Sequence, residues 1–175
     1  MIIKYYKSLQ STNLEAEKLA SKGGEPWTVV VAEEQIGGYG RKGAVWFSPK
    51  GGLYFSIILP KSQIEDLQTL TILAAFIVAK VIKENFNLEP FIKLPNDIWI
   101  NGKKICGVLT KNVVGKDVKL SVMGVGLNTN IEKFPKELEN IATSLKIELR
   151  RELDNKNILD QIIEGLKEQL KTISE

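Results

Sequence analysis

The chain has 175 residues, the length of one ordinary domain, and its 43% hydrophobic and 26% charged content suits a packed core under a soluble surface. Lys plus Arg is 24 against 21 Asp plus Glu, a formal charge of +3 that falls well short of a nucleic-acid-binding tail. With no histidine and one cysteine, Cys106, the chain has no Ser-His-Asp triad, no H-E-x-x-H zinc site, no internal disulfide and no multi-cysteine metal cluster. Its chemistry falls to lysine, arginine, carboxylates, amides and backbone N–H groups.

Nothing at the N-terminus reads as a signal peptide, since Lys4 interrupts the first apolar residues. The longest apolar run, around Leu70 to Ala79, stops at Lys80, short of the roughly 20 residues that span a bilayer. A cytoplasmic protein without membrane contact is expected. Of 24 basic residues only three are arginine, and Arg41 is the sole one among the first 149 residues.

Taken in chain order, residues 2–6 predict a short strand. Thr12 and Glu15 fit a capping box that opens a helix to about Lys22, stopped by Gly23-Gly24. Residues 27–33 predict a buried strand around three consecutive valines. From Gly37 to Gly52 the chain holds six of its 14 glycines, a loop with special backbone needs. Residues 53–59 predict a strand ended by Pro60. Leu67, Leu70, Ala74, Ile77 and Val81 mark the core stripe of a helix over 65–86.

Residues 91–100 and 104–111 read as strands joined at Asn101-Gly102, the strongest short hairpin signal. A second turn is expected at Gly115, between Lys111 and Asp117, before a strand over 118–126. One helical turn is expected over 135–139. Ile158, Ile162, Leu166 and Leu170 then predict a terminal amphipathic helix. Hairpin-like strands set between helices predict a single α+β domain over 1–175, with a mixed or antiparallel sheet backed by helices on one face.

The stretch Gly38-Tyr39-Gly40-Arg41-Lys42-Gly43-Ala44-Val45 matches the dinucleotide pattern G-x-G-x-x-G. It runs into Trp46-Phe47-Ser48-Pro49 rather than opening a helix, so the dinucleotide context fails. A kinase needs H-R-D and a P-loop needs Gly-Lys-Ser/Thr, and neither is present. What remains is a loop whose amides can approach an anion, with a forked cation at Arg41 beside them. A plain surface loop accounts for the same glycines.

Lys93-Leu94-Pro95-Asn96-Asp97 presents two polar side chains at a strand junction, as a simple Asn-Asp turn would. By strand alternation Lys104 shares a face with Cys106 and Val108, and Lys103 with Ile105 and Gly107. Gly124 to Asn130 reads as a strand ending in glycines and amides. Cys106 is most simply a small buried hydrophobe. Trp46, inside the glycine loop, is placed to stack on a flat ligand.

Together these fragments resemble the biotin–protein ligases over nearly the whole chain. Ser11-Thr12-Asn13, Gln35 with Gly38-x-Gly40-Arg41-x-Gly43-x-x-Trp46, Ser48-Pro49 and Gly52 to Ser56 follow that family's order. Lys93-x-Pro95-Asn96-Asp97-Ile98, Lys104-Ile105-x-Gly107-Val108-Leu109 and Gly124 to Asn128 continue it. Tyr39 stands where many members carry an arginine. The resemblance implies a catalytic domain like that of class II aminoacyl-tRNA synthetases and lipoate ligases, without the DNA-binding N-terminal or SH3-like C-terminal domain found in some members.

It implies joining of biotin to a lysine of a biotin carboxyl carrier protein through biotinyl-5′-AMP, using ATP and Mg²⁺. No nucleic-acid partner follows, and homodimer formation is left open. By the same resemblance Arg41 and Lys104 are the catalytic residues. Ser11, Thr12, Asn13, Gln35, Gly38, Tyr39, Gly40, Arg41, Lys104, Gly107 and Gly124 would bind biotin. Arg41, Trp46, Lys93, Asn96, Asp97 and Asn128 would bind the nucleotide, while no metal ligand is assigned. A lipoate or octanoate transferase on the same scaffold and a non-catalytic biotin-binding module are the rival readings.

Overall fold

Every residue of the strand Leu53–Leu59 is buried, because the sheet it belongs to is packed on both faces. The computed structural model describes residues 1–60, 66–114 and 119–174. In chain order the elements are β1 (Ile2–Leu9), α1 (Thr12–Ser21), β2 (Thr28–Gln35), β3 (Leu53–Leu59), α2 (Leu67–Phe86), β4 (Phe91–Lys93), β5 (Asp97–Ile100), β6 (Lys103–Val114), β7 (Lys119–Leu127), α3 (Leu145–Leu149) and α4 (Asn155–Ser174). A short 3-10 turn spans Arg41–Gly43. The seven strands form one mixed sheet in the order β1-β2-β3-β7-β6-β5-β4, an α+β architecture as expected. Only β1 and β2 run parallel; every other neighbouring pair is antiparallel.

Alternation divides the strands between two cores. Val29, Val31, Phe55, Ile57, Met123 and Val125 point into a large cluster shared with Ile77 and Val78 of α2 and Ile162 and Leu166 of α4. Gly165 lets α2 and α4 approach closely, since a Cβ there would sit 2.9 Å from Ile77 Cγ2. Val30, Ile58, Leu120 and Val122 point the other way, onto Ala16 and Ala20 of α1. The expectation of helices on one face is therefore corrected: α1 lies alone on the opposite face. Its two alanines allow close packing, and because α1 is only ten residues long it leaves part of that face uncovered.

Several boundaries differ from the expected ones. Ser11, not Thr12, is the N-cap of α1, and it makes no side-chain capping bond; the Thr12 hydroxyl is engaged elsewhere. The stretch 91–100 is two strands, reversed at Leu94-Pro95-Asn96, because a proline has no N–H to continue a ladder. Residues 135–139 make the single turn expected, closed by the Glu139 N–H on the Pro135 carbonyl at 3.1 Å, whereas α3, capped by the Ser144 hydroxyl, is not among the expected elements. The Asn101-Gly102 hairpin is as expected, with both residues at positive φ, 50° and 77°. The expected turn at Gly115 and the expected helix start at Glu65 lie outside the described residues.

Candidate active site

On the α1 face the sheet carries Ser56 on β3 and Gly124 on β7 beneath Thr12 and Asn13 of the first turn of α1, and Gly107 on β6 and Gly126 on β7 beneath Trp46. Above this floor is a cavity of about 400 Å³. The first turn of α1, the glycine loop and the reversal before β5 wall it in. It contains Ser11, Thr12, Asn13, Gln35, Tyr39, Gly40, Arg41, Trp46, Asn96, Asp97, Lys104, Gly107 and Gly124, which the sequence had placed in several separate motifs. The size is ordinary for a small-molecule site.

One end of the cavity is a neutral hydrogen-bond network. The parallel register of β1 on β2 sets Leu9 opposite Gln35 and so carries the next turn, at Ser11 to Asn13, to the end of β2. Gln35 Oε1 accepts from the Thr12 backbone N–H at 2.8 Å and from its hydroxyl at 3.2 Å. Gln35 Nε2 donates to Ser48 Oγ at 3.0 Å. Ser56 Oγ lies 2.8 Å from Thr12 Oγ1 and 2.5 Å from Asn13 Oδ1; its single proton serves one of them at a time. Ser11, Thr12, Asn13 and Ser56 are all buried, so these groups are fixed and aimed.

The other end is charged. Arg41, Lys42 and Lys104 line it against a single carboxylate, Asp97. A bulge puts Lys104 there. Trp99 of β5 pairs with Lys104 and the adjacent Ile98 with Cys106, so Ile105 is the extra residue on β6. Strict alternation had put Lys104 with Cys106 and Val108, but those two face the α2 core. The bulge moves Lys104 to the side of Gly107, whose Cβ position lies 3.7 Å from Lys104 Cε. Lys104 Nζ forms an ion pair with Asp97 Oδ1 at 2.7 Å. The neighbouring Lys103 donates instead to the Glu139 carbonyl at 2.7 Å.

The glycine loop folds over the cavity as a tight reversal. Gly40 N–H donates to the Ala44 carbonyl at 2.7 Å and Trp46 N–H to the Gly38 carbonyl at 2.9 Å. Lys42 and Gly43 take positive φ, 56° and 76°. Arg41 Nη1 donates to Asn96 Oδ1 at 3.2 Å and tethers the loop to the reversal before β5. The Trp46 indole lies on Gly107 and Gly126; a Cβ on Gly107 would come 3.3 Å from its Cζ3. Lys104 Nζ stands 5.1 Å from the centre of this ring. Trp46 Nε1 is buried against Gly126 and has no hydrogen-bond partner among the described residues.

Three expected residues do not reach the wall. Lys93 is exposed and holds its Nζ 4.9 Å from the centre of the Trp99 ring. Asn128 is buried below the end of β7, where its Nδ2 donates to the Thr143 carbonyl at 3.0 Å. Gly38 is buried behind the loop, where a Cβ would press on Ser48 Oγ at 2.5 Å. Gly107 and Gly124 do line the cavity, but their missing side chains make room for Trp46 and Asn13, not for an open pocket. Burial pushes the Cys106 thiol up, so it stays protonated and inert.

Ser56 and Ser48 do not line the cavity but hold Thr12, Asn13 and Gln35 from behind, and sequence reasoning singled out neither for a role. Both stood in recognised motifs, and strand alternation from the buried Phe55 would have turned Ser56 toward α1. Among the described residues no cluster of three metal-ligating side chains occurs, and no helix is long and apolar enough to cross a membrane.

Comparison with known proteins agrees with this geometry. Residues 5–128 match the Biotin/lipoate A/B protein ligase family. The chain is 38% identical over 164 residues to the bifunctional ligase/repressor BirA of Bacillus subtilis, covering 91% of this chain and 50% of that protein. It is 34% identical over 126 residues to the biotin–[acetyl-CoA-carboxylase] ligase of Paracoccus denitrificans, covering 67% of this chain and 50% of that one. The chain thus spans about half the length of the curated relatives it matches. Among solved structures, the biotin protein ligase of Aquifex aeolicus in complex with biotin and ATP superposes with a TM-score of 0.89 at 29% identity, covering 99% of this chain and 72% of that one. The chain belongs to the biotin/lipoate A/B protein ligase family.

Proposed function

We propose that the protein is a cytoplasmic biotin–protein ligase, which activates biotin with ATP as biotinyl-5′-AMP and transfers it to a lysine of a biotin carboxyl carrier protein. The observation that carries this reading is the two-ended cavity: a neutral hydrogen-bond network at one end and, at the other, Arg41, Lys42 and Lys104 in a lining whose one carboxylate, Asp97, pairs with Lys104. Such a site matches a ligand with a polar, uncharged head and an acid tail that becomes a phosphoric anhydride. Relatives named as biotin ligases, and a structural neighbour that holds biotin and ATP, support the same substrates.

The reaction asks little acid–base chemistry of a chain without histidine. The substrate carboxylate is itself the nucleophile toward the α-phosphorus of ATP. The protein need only align the two and neutralise charge as it builds. Arg41 and the amides of the glycine loop would meet the carboxylate and the α-phosphate together, and Lys104 would leave Asp97 to approach the same carboxylate. Ser11, Thr12, Asn13 and Gln35 would satisfy the head group, with Ser56 fixing Thr12 and Asn13 from beneath. Trp46, Asn96 and Asp97 would serve the nucleotide.

Mg²⁺ fits this arrangement as an ion that travels with the triphosphate. It commonly takes one or two protein carboxylates and draws its other ligands from phosphate and water, and Asp97 is the carboxylate the cavity wall offers.

The test is ATP–pyrophosphate exchange with and without biotin, followed by transfer to a carrier domain. Exchange that depends on biotin, and not on lipoate, is expected. Exchange no faster with biotin than without it would overturn the proposal, and exchange driven by lipoate would move the protein to the other branch of its family.

A further inference from the structure

Three elements that carry site residues converge on one charged cluster at the edge of the cavity, which Tyr39 lines and its two charged partners do not. Glu17 belongs to α1, whose first turn holds Thr12 and Asn13. Lys111 belongs to β6, which also carries Lys104 and Gly107. Tyr39 stands in the glycine loop, two residues before Arg41. Lys111 Nζ donates to the Tyr39 hydroxyl at 2.9 Å, lies 3.3 Å from Glu17 Oε1 and sits 4.6 Å from the centre of the Tyr39 ring. The Tyr39 hydroxyl in turn donates to Glu17 Oε1 at 3.4 Å. Each polar atom of the cluster thus serves the other two.

We infer that the Glu17–Lys111 pair is a positioning device that clamps the Tyr39 limb of the glycine loop over the cavity and so delivers Arg41 already oriented. Between Gly38 and Val45 the described residues give the loop two side-chain hydrogen-bond tethers to the body of the protein, this cluster and the exposed Arg41–Asn96 bond. A ligand that draws Arg41 toward its own carboxylate and phosphate competes with the second tether. The first is anchored outside the cavity, since neither Lys111 nor Glu17 lines it, and a ligand meets this tether only through Tyr39. Burial disfavours the Lys111 charge, but the contacts with Tyr39 and Glu17 more than offset it, and the ammonium is held in its charged form. Preorganising the loop removes an ordering cost that each turnover would otherwise meet.

The kinetic consequence rests on the adenylate-forming reading; the structural one does not. The variants are Lys111→Met, which keeps the stem and removes the charge, Lys111→Arg, Glu17→Gln, and Lys80→Met as a control on the exposed side of α2. Amide hydrogen exchange of residues 38–46 is measured in the ligand-free protein, together with the lifetime of enzyme-held biotinyl-adenylate. Lys111→Met and Glu17→Gln are expected to speed loop exchange about three- to tenfold, with the core strands unchanged. The adenylate lifetime shortens by a similar factor. Lys111→Arg restores most of both, and Lys80→Met changes neither.

Salt at about 0.5 M should speed loop exchange in the wild type and add little in Lys111→Met. Loop exchange in Lys111→Met equal to that of the wild type, or raised equally throughout β6 and β7, overturns the inference. A loop that loosens as expected in a protein forming no adenylate upholds the clamp and defeats the biotin reading.

Discussion

Lys104 Nζ lies 2.7 Å from Asp97 Oδ1, a cation and a carboxylate that face each other across the charged end of one cavity. The pair keeps Lys104 over the Trp46 ring and in place for an incoming acid. A substrate carboxylate that took the ammonium would leave Asp97, itself partly exposed, to find its partners in water.

Lys104→Ala is expected to cut biotin transfer at least tenfold. A charge-assisted contact to a carboxylate contributes about 1.5–3 kcal/mol, or roughly ten- to a hundredfold in a step that depends on it. Lys103→Ala should change transfer little, since Lys103 does not line the cavity and its ammonium donates to the Glu139 carbonyl. Steady-state transfer to a carrier domain checks both. A larger loss in Lys103→Ala would mean that the face carrying Lys104 does not meet the substrate.

Arg41→Ala should shorten the lifetime of the bound adenylate more than it weakens biotin binding. The adenylate presents a phosphate beside the acyl carbon, and a guanidinium can bridge both, whereas biotin alone presents one group. Asn96→Ala, which removes the Arg41 partner, should give a smaller loss of the same kind. Release of the intermediate and calorimetric biotin affinity supply the comparison; equal losses in the two would count against the role.

Gly124→Ala tests the neutral end. The added Cβ would overlap the Asn13 carboxamide, which is buried and held at Ser56. Biotin affinity is expected to fall at least about tenfold, and overpacking should lower stability by about 1–3 kcal/mol. The double variant Asn13→Ala/Gly124→Ala relieves the overlap, so its urea midpoint should recover while affinity stays low. Recovery of affinity along with stability would remove Asn13 from the site.

Asp66 caps α2, accepting from the Thr69 hydroxyl and from the Gln68 and Thr69 backbone N–H groups. Those bonds hold its carboxyl below the ordinary carboxylate range. A group lowered in the folded state stabilises above its unfolded pKa and loses that contribution as pH falls through the folded one. The urea midpoint of the wild type should therefore exceed that of Asp66→Ala at neutral pH, with the gap closing below about pH 4. A gap unchanged down to pH 2 would place the effect elsewhere than in the carboxylate.

Much of the site was legible because its residues sit in local motifs whose chemistry does not depend on where they meet. Arg41 stood out as a lone arginine among glycines, and it does lie on the cavity wall beside Asn96. Lys93 and Asn128 look equally polar and equally placed in sequence, yet one is exposed beside Trp99 and the other is buried beneath the sheet. Nothing local separates these cases, because whether a strand-end side chain faces a cavity depends on what packs above it. Lys111, Glu17 and Tyr39 are separated by 22 and 72 positions and carry no joint signal.

The sequence by itself determined the class of fold, the hairpin at Asn101-Gly102, the core stripe of α2 and the exclusion of imidazole, disulfide and cysteine-cluster chemistry, since each follows from residue type and short-range spacing. Only the tertiary structure decided which face of the sheet α1 covers and which side of β6 carries Lys104. A period of two says which residues share a face but not which face is the core, and one extra residue at Ile105 resets the count. The cavity is likewise tertiary: it is the part of the sheet that a ten-residue helix leaves bare, closed over by a loop held on β6 and on the reversal before β5.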